Sequence, residues 1–181
     1  MEQHYGRIPS KRRRREERSF LSIFTSDMIK AGCVIFLLHL FVIQFSVVRG
    51  SSMMPNISDG DRLVVDRLSY NLLDIGRFDV VIMAKTARVD YVKRIVGLPG
   101  EKVVIHDGKI WVNGRLLPEP FRLVPDHTSQ GEWIVPATSY FVLGDNRPIS
   151  SDSREDWFVD RSMIKGKVRA CIWPFAHARM F

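Results

Sequence analysis

Ser52 and Lys93 are the two residues of this chain from which acid–base chemistry on a carbonyl could be assembled. Ser52 lies in Gly50-Ser51-Ser52-Met53-Met54-Pro55 and Lys93 in Tyr91-Val92-Lys93-Arg94. A serine hydroxyl is a poor nucleophile at its own pKa and needs a base beside it. A lysine serves as that base only when neutral, and its reference pKa of about 10.4 leaves under ~0.1% of it neutral at pH 7. Water must therefore be kept from the amine. Val92, Ile95, Val96 and the methionines next to Ser52 are the apolar neighbours available for this, and such desolvation moves pKa values by up to about 3–5 units. A fall of about 2 units, costing roughly 2.7 kcal/mol, raises the neutral fraction about a hundredfold. A third cluster, Gly144-Asp145-Asn146-Arg147 followed by Ser150, Asp152, Ser153 and Arg154, supplies polar groups that could orient the pair. Taken singly, each cluster also reads as an ordinary loop serine, a solvated strand lysine or a polar turn.

Other chemistry is poorly represented. The histidines at 4, 39, 106, 127 and 177 show no paired ligand spacing, and Cys33 and Cys171 are too few for a thiolate cage, so neither a metal nor another cofactor is expected. The same two cysteines are expected to stay unbridged, because much of a bilayer should separate them.

The elements that must carry these residues begin with a polar tail, residues 1–27, containing Lys11-Arg12-Arg13-Arg14-Arg15 and Arg18. Residues 1–30 hold eight Lys/Arg and four Asp/Glu, so more than half of the net charge of +7 sits there. Because the basic run directly precedes an apolar one, it reads as an orientation signal beside membrane lipid and not as a nucleic-acid site. Residues 28–48 are expected to form a transmembrane helix, rising about 31 Å at roughly 1.5 Å per residue. The basic bias places the N-terminus in the cytoplasm and residues 49–181 on the extracytoplasmic face of the cell membrane, as a single-pass protein. A cleaved signal peptide is the competing reading, although the apolar run exceeds the usual core length of such peptides. His39 would lie near mid-membrane, either functional or as a neutral ring meeting a backbone group or another subunit's helix.

Beyond Gly50 the text is β-like. Arg62 to Asp66, Phe78 to Met83, Val89 to Val96, Lys102 to Ile105, Lys109 to Val112, Glu132 to Val135, Ser139 to Leu143 and Gly166 to Trp173 are short β-branched or aromatic runs between turn residues. Asp107-Gly108 and Asn113-Gly114 suit tight reversals. Residues 115–131, with Pro118, Pro120, Pro125 and Gly131, read as an exposed loop. The expected fold class is an all-β domain of folded, barrel-like antiparallel sheets behind one transmembrane helix.

The three clusters together resemble the type I signal peptidases, with Gly60-Asp61, Ile95-Val96-Gly97-Leu98-Pro99-Gly100 and Ile172-Trp173-Pro174 in support. The single span after a basic tail looks like the Gram-positive form. The resemblance implies a membrane-anchored serine endopeptidase that cuts exported preproteins after a small-x-small site through an acyl-enzyme. It makes Ser52 the nucleophile, with its backbone N–H as oxyanion donor, and Lys93 the general base. Ser150 would hydrogen-bond the Lys93 amine, and Asp152 and Arg154 would form a supporting ion pair near it. Asp145 and Arg147 read first as turn-stabilising, with Asp145 also able to join that network, while Val48, Met53, Ile57, Tyr91 and Val92 match substrate-pocket walls. Some family members carry a serine two residues before the nucleophile to assist the oxyanion. This chain has Gly50 there, and it has Asn56 where threonine is common. The Met53-Met54-Pro55 segment could rest in the lipid headgroups, and the protein-translocation machinery would be close by. Two alternatives remain at this level: a silent membrane-tethered β-domain that binds preproteins or a partner, separable by failure of an acylating probe to label Ser52, and a self-cleaving or single-substrate peptidase, separable by comparing unrelated preproteins.

Overall fold

The computed structural model describes residues 24–36, 42–68, 75–86 and 89–181. The chain divides into two compact units, Met1–Phe41 and Val42–Phe181. His39 and the basic run Lys11 to Arg18 lie outside the described residues.

In the first unit the described part is one helix, α1 (residues 24–36). These described residues rise about 20 Å, against the roughly 30 Å of a hydrocarbon core. The expected helix over 28–48 does not continue to its end, because Ile43–Val47 form strand β1 instead. That strand pairs antiparallel with β2 (Arg62–Asp66) from Ile43↔Asp66 to Val47↔Arg62. The β-branched and aromatic side chains at 42, 43, 45, 47 and 48, read as membrane-seeking in isolation, are equally strand-forming, and the free edge of β2 satisfies their backbone groups. No described helix is long and apolar enough to cross a membrane. This overturns the expected transmembrane helix and, with it, the single-pass topology of cytoplasmic N-terminus and extracytoplasmic domain.

The second unit is built on two antiparallel sheets. The larger has eight strands in the order β1-β2-β11-β3-β4-β9-β10, with β12 on β11. Here β3 is Val80–Ala84, β4 Asp90–Gly97, β9 Ser139–Leu143, β10 Val159–Asp160, β11 Ile164–Trp173 and β12 Arg179–Met180. The smaller runs β7-β6-β5-β8, from β5 (Lys102–His106), β6 (Lys109–Val112), β7 (Arg115–Leu116) and β8 (Gly131–Ile134). Asp107 and Gly108 turn the β5–β6 hairpin at φ 48° and 68°, the left-handed pair such a two-residue turn requires.

Neither sheet closes into a barrel, contrary to expectation, and α1 with four short 3₁₀ turns makes the described chain a mixed fold dominated by antiparallel sheet. The physical reason is that apolar faces are covered by a second layer instead of by curling. Val103, Ile105, Ile110, Val112 and Trp133 of the small sheet pack with Val96, Phe141 and Leu143 of the large one. Tyr140 and Val142 pack on the other face with Ile75, Val159 and Ile164, so every residue of β9 is buried.

Register leaves one edge open. β9 pairs with β4 only from Arg94↔Leu143 onward, whereas β3 pairs with β4 from Ala84↔Asp90 to Val80↔Arg94. The outer edge of Asp90 to Lys93 thus faces away from any strand of the large sheet.

Candidate active site

Ser52 sits in a tight turn between β1 and β2. Met54 N–H donates to Ser51 O at 3.1 Å, and the N–H groups of Asn56 and Ile57 donate to Met53 O at 3.0 and 2.9 Å. Gly50 enters the turn at φ 101°, where a side chain would be strained, and its N–H donates to Asp59 Oδ1 at 2.7 Å. Met53 and Ile57, 2% and 0% exposed, hold the turn down in a cluster with Val48, Leu63, Val65 and Val80. Met53 therefore belongs to the core, while Met54 is 40% exposed. The Ser52 carbonyl accepts from Asn146 N–H at 2.9 Å, and Asn146 Nδ2 donates to Ser51 O at 3.2 Å. The Ser52 N–H donates to no other group among the described residues, so it is free to meet a ligand oxygen.

Lys93 lies in the middle of β4, opposite Val81, and is 2% exposed. Its Nζ donates to Ser150 Oγ at 2.9 Å and stands 5.4 Å from the centre of the Tyr91 ring. Burial pulls its pKa down to about 8; the Asp152 charge opposes this, Arg154 reinforces it, and Glu155 and Asp145 oppose it more weakly. Ser52 and Lys93 face the same cleft of about 600 Å³. No hydrogen bond joins their side chains in this structure, the lysine being engaged with Ser150. Val48, Met53, Tyr91 and Val92 line that cleft, and so do Ile82, Asp90 and Ile149, which the sequence reading did not single out. Ile57 is placed beneath the turn, fully buried, and not on the wall.

The 144–154 segment wraps around the lysine. Asp152, fully buried, accepts from Gly144 N–H at 3.1 Å through Oδ2 and from Arg154 Nε at 2.8 Å through Oδ1. Arg154 also donates to Asp126 Oδ2 at 2.9 Å and to Ser150 O at 3.3 Å, which ties the Ser150 backbone to the ion pair. Asp145 serves a different group. It is fully buried and receives Arg94 Nε at 2.8 Å and Arg94 Nη2 at 2.6 Å. Asn56 Nδ2 adds a third bond at 2.7 Å, so the amide at position 56 clips the nucleophile turn to this ion pair. Removing one partner of such a pair typically costs about 3–5 kcal/mol by stranding the other charge. Arg94 and Asn56 were missed as supports because their partner is 51 and 89 residues distant along the chain.

The loop between Arg115 and Gly131 is exposed along most of its length, as expected, and it is also fastened to this segment at a few points. Arg147 binds Glu119, Val124 N–H donates to Asp145 O at 2.9 Å, and Asn56 Nδ2 reaches Arg122 O at 2.6 Å.

Gly144 is where these parts converge. A Cβ there would fall on Ser150 Oγ and come within 2.5 Å of Ser52 O. Gly144→Ala is therefore expected to cost about 1–3 kcal/mol by overpacking and to push Ser150 off the Lys93 amine. Urea unfolding measures the first effect, and an unchanged midpoint would refute the close packing.

Comparison with known proteins shows what the chain is similar to. A family described as signal peptidase, peptidase S26, matches residues 22–173. The signal peptidase I of Bacillus caldolyticus is 41% identical over 159 residues, covering 80% of this chain and 87% of that protein. The signal peptidase IB of Staphylococcus aureus is 32% identical over 164 residues, covering 81% and 86%. A crystal structure of a signal peptidase I from Enterococcus faecalis aligns with 52% of this chain and 97% of its own at 30% identity, with a TM-score of 0.44.

Proposed function

From the premise that this chain belongs to the signal peptidase family, peptidase S26, we propose that Ser52 is its nucleophile and Lys93 its general base. The protein is a serine endopeptidase of the signal peptidase I type, membrane-associated and acting on the signal peptides of preproteins. The observation that carries the assignment is a lysine buried to 2% exposure with its pKa near 8, in the same cleft as Ser52. Burying an amine at this cost has a use when the neutral form is needed.

The substrate enters as an extended strand along the open edge of Asp90 to Lys93, with β1 forming the facing wall of the cleft. Backbone hydrogen bonds hold it without regard to sequence. Val48, Met53, Tyr91 and Val92 leave room for small side chains one and three residues before the cut. Neutral Lys93 takes the Ser52 proton as Oγ attacks the scissile carbonyl. The oxyanion that forms meets the Ser52 N–H, a donor aimed in advance by the 51–57 turn. Lys93 then gives its proton to the leaving amine, and the C–N bond breaks to leave an ester on Ser52. A water deprotonated by the same amine hydrolyses that ester. Ser150 holds Nζ in place during each transfer, and Arg154 offsets the Asp152 charge that would otherwise keep the amine protonated.

Processing beside the translocation machinery follows from the need to act as a preprotein emerges. The purified protein in lipid or detergent should cut several unrelated preproteins after a small-x-small site, read by mass of the product N-terminus. Failure to cut any of them would sink the proposal, and cutting only one would favour a dedicated peptidase.

A further inference from the structure

We propose that Ile149 forms the leaving-side wall of the cleft and selects the residue that follows the scissile bond, favouring an apolar side chain over an acidic one. This rests on the roles given above to Ser52 and Lys93. The two strand edges, β1 and Asp90 to Lys93, accommodate the acyl side of the substrate. The leaving amine must receive its proton from Lys93 Nζ, which is bonded to Ser150. The first residue of the product consequently passes beside Ser150, and its immediate neighbour Ile149 lines the cleft there together with Ser151.

Ile149 is 59% exposed, which on its own is an ordinary finding for one aliphatic residue. Its mounting is not ordinary. It ends a 3₁₀ turn, Arg147–Ile149, whose first residue is 5% exposed. Arg147 is pinned through Nε to Gly144 O at 2.8 Å, through its N–H to Val124 O at 3.1 Å, and by its guanidinium to Glu119. Pro148 stiffens the backbone between. An apolar side chain is thus held still and open to solvent at the edge of the reacting groups, where a ligand side chain would shed water against it. Ser151 Oγ donates to Glu155 Oε2 at 2.9 Å, setting a carboxylate at the same end of the site. An acidic side chain entering there loses water to Ile149 and meets a like charge; an aliphatic one does neither.

The test uses the full chain in detergent and one preprotein whose small-x-small site is constant, with Leu, Ala, Lys or Asp as the following residue. The parent is expected to favour Leu over Asp in kcat/KM by about tenfold, the scale of a few methylenes in a pocket. In Ile149→Ala the ratio should shrink to about twofold, and Ile149→Lys should bring Asp level with or above Leu, with the order of preference before the cut unaltered. A Leu/Asp ratio in Ile149→Ala equal to that of the parent would overturn the inference, and so would a common drop for all four substrates, which would make Ile149 a support for Ser150 alone. Both results leave the Ser52 and Lys93 assignment standing. If the parent cuts none of the four, both proposals fall together.

Discussion

Ser52→Ala is expected to reduce preprotein cleavage by about 10⁴-fold or more, since losing the nucleophile of a serine protease removes the acyl-enzyme route altogether. The fold should survive. The turn is held by the backbone bonds of Ser51, Met53 and Asn146 and by the burial of Met53 and Ile57, and the Ser52 hydroxyl takes no part in these. Rates from product mass spectrometry and a urea midpoint measured on the same preparation separate the two effects. Residual cleavage within tenfold of the parent would remove Ser52 from the mechanism. A large drop accompanied by a collapsed midpoint would instead assign Ser52 a structural part.

The second large effect concerns Lys93 and pH. With its pKa at about 8, kcat/KM should rise with pH through that value and fall about tenfold per unit well below it, leaving on the order of one hundredth of the amine neutral at pH 6. A rate that is level from pH 9 to pH 5 contradicts the neutral-lysine mechanism. Stability moves in the same direction, over a window that starts at that pKa and extends higher. Below about pH 8 the amine is protonated in both folded and unfolded chains, and the folded state bears the full penalty of burying the charge, roughly 3 kcal/mol. Between about 8 and the unfolded value near 10.4 the folded chain loses its proton first, and the penalty disappears. Lys93→Met should accordingly be inactive at every pH yet unfold at higher urea than the parent at pH 7, with the difference closing above about pH 10.5. An equally stable Lys93→Met at pH 7 would mean that the charge is well accommodated where it lies.

The residues proposed to react stand in short words of the sequence, where residue type alone suggests a chemistry. Gly50-Ser51-Ser52-Met53-Met54-Pro55 and Tyr91-Val92-Lys93-Arg94 each carry a reactive type amid apolar neighbours, and Ser150, Asp152 and Arg154 follow in one eleven-residue segment, Gly144 to Arg154. Asp145 shows where this stops. Its place in the same segment marks it as a turn residue that could join the lysine's network, whereas its buried carboxylate is bidentate to Arg94, the neighbour of Lys93 on β4. Adjacent residues of a strand point to opposite faces, so Lys93 and Arg94 draw their partners from different sides of β4.

The apolar stretch before Gly50 shows the other limit. Hydropathy reports how readily side chains leave water and not which backbone they prefer: Ile43, Phe45 and Val47 are strand-forming as well as apolar, and in β1 Phe45 and Val47 stay 68% and 60% exposed. Only the free edge of β2, formed by residues 62 to 66, decides for β1. Barrel closure was likewise beyond the strand pattern, because alternating burial states that a face is covered and not by what. The linear text determined which reactive residue types are available and that strands build the domain around them, since residue type and two-residue periodicity are written position by position. The tertiary structure decided which strand ends meet, which cation each carboxylate takes and how dry the lysine is, because pairing energy and desolvation depend on neighbours that the order of residues does not name.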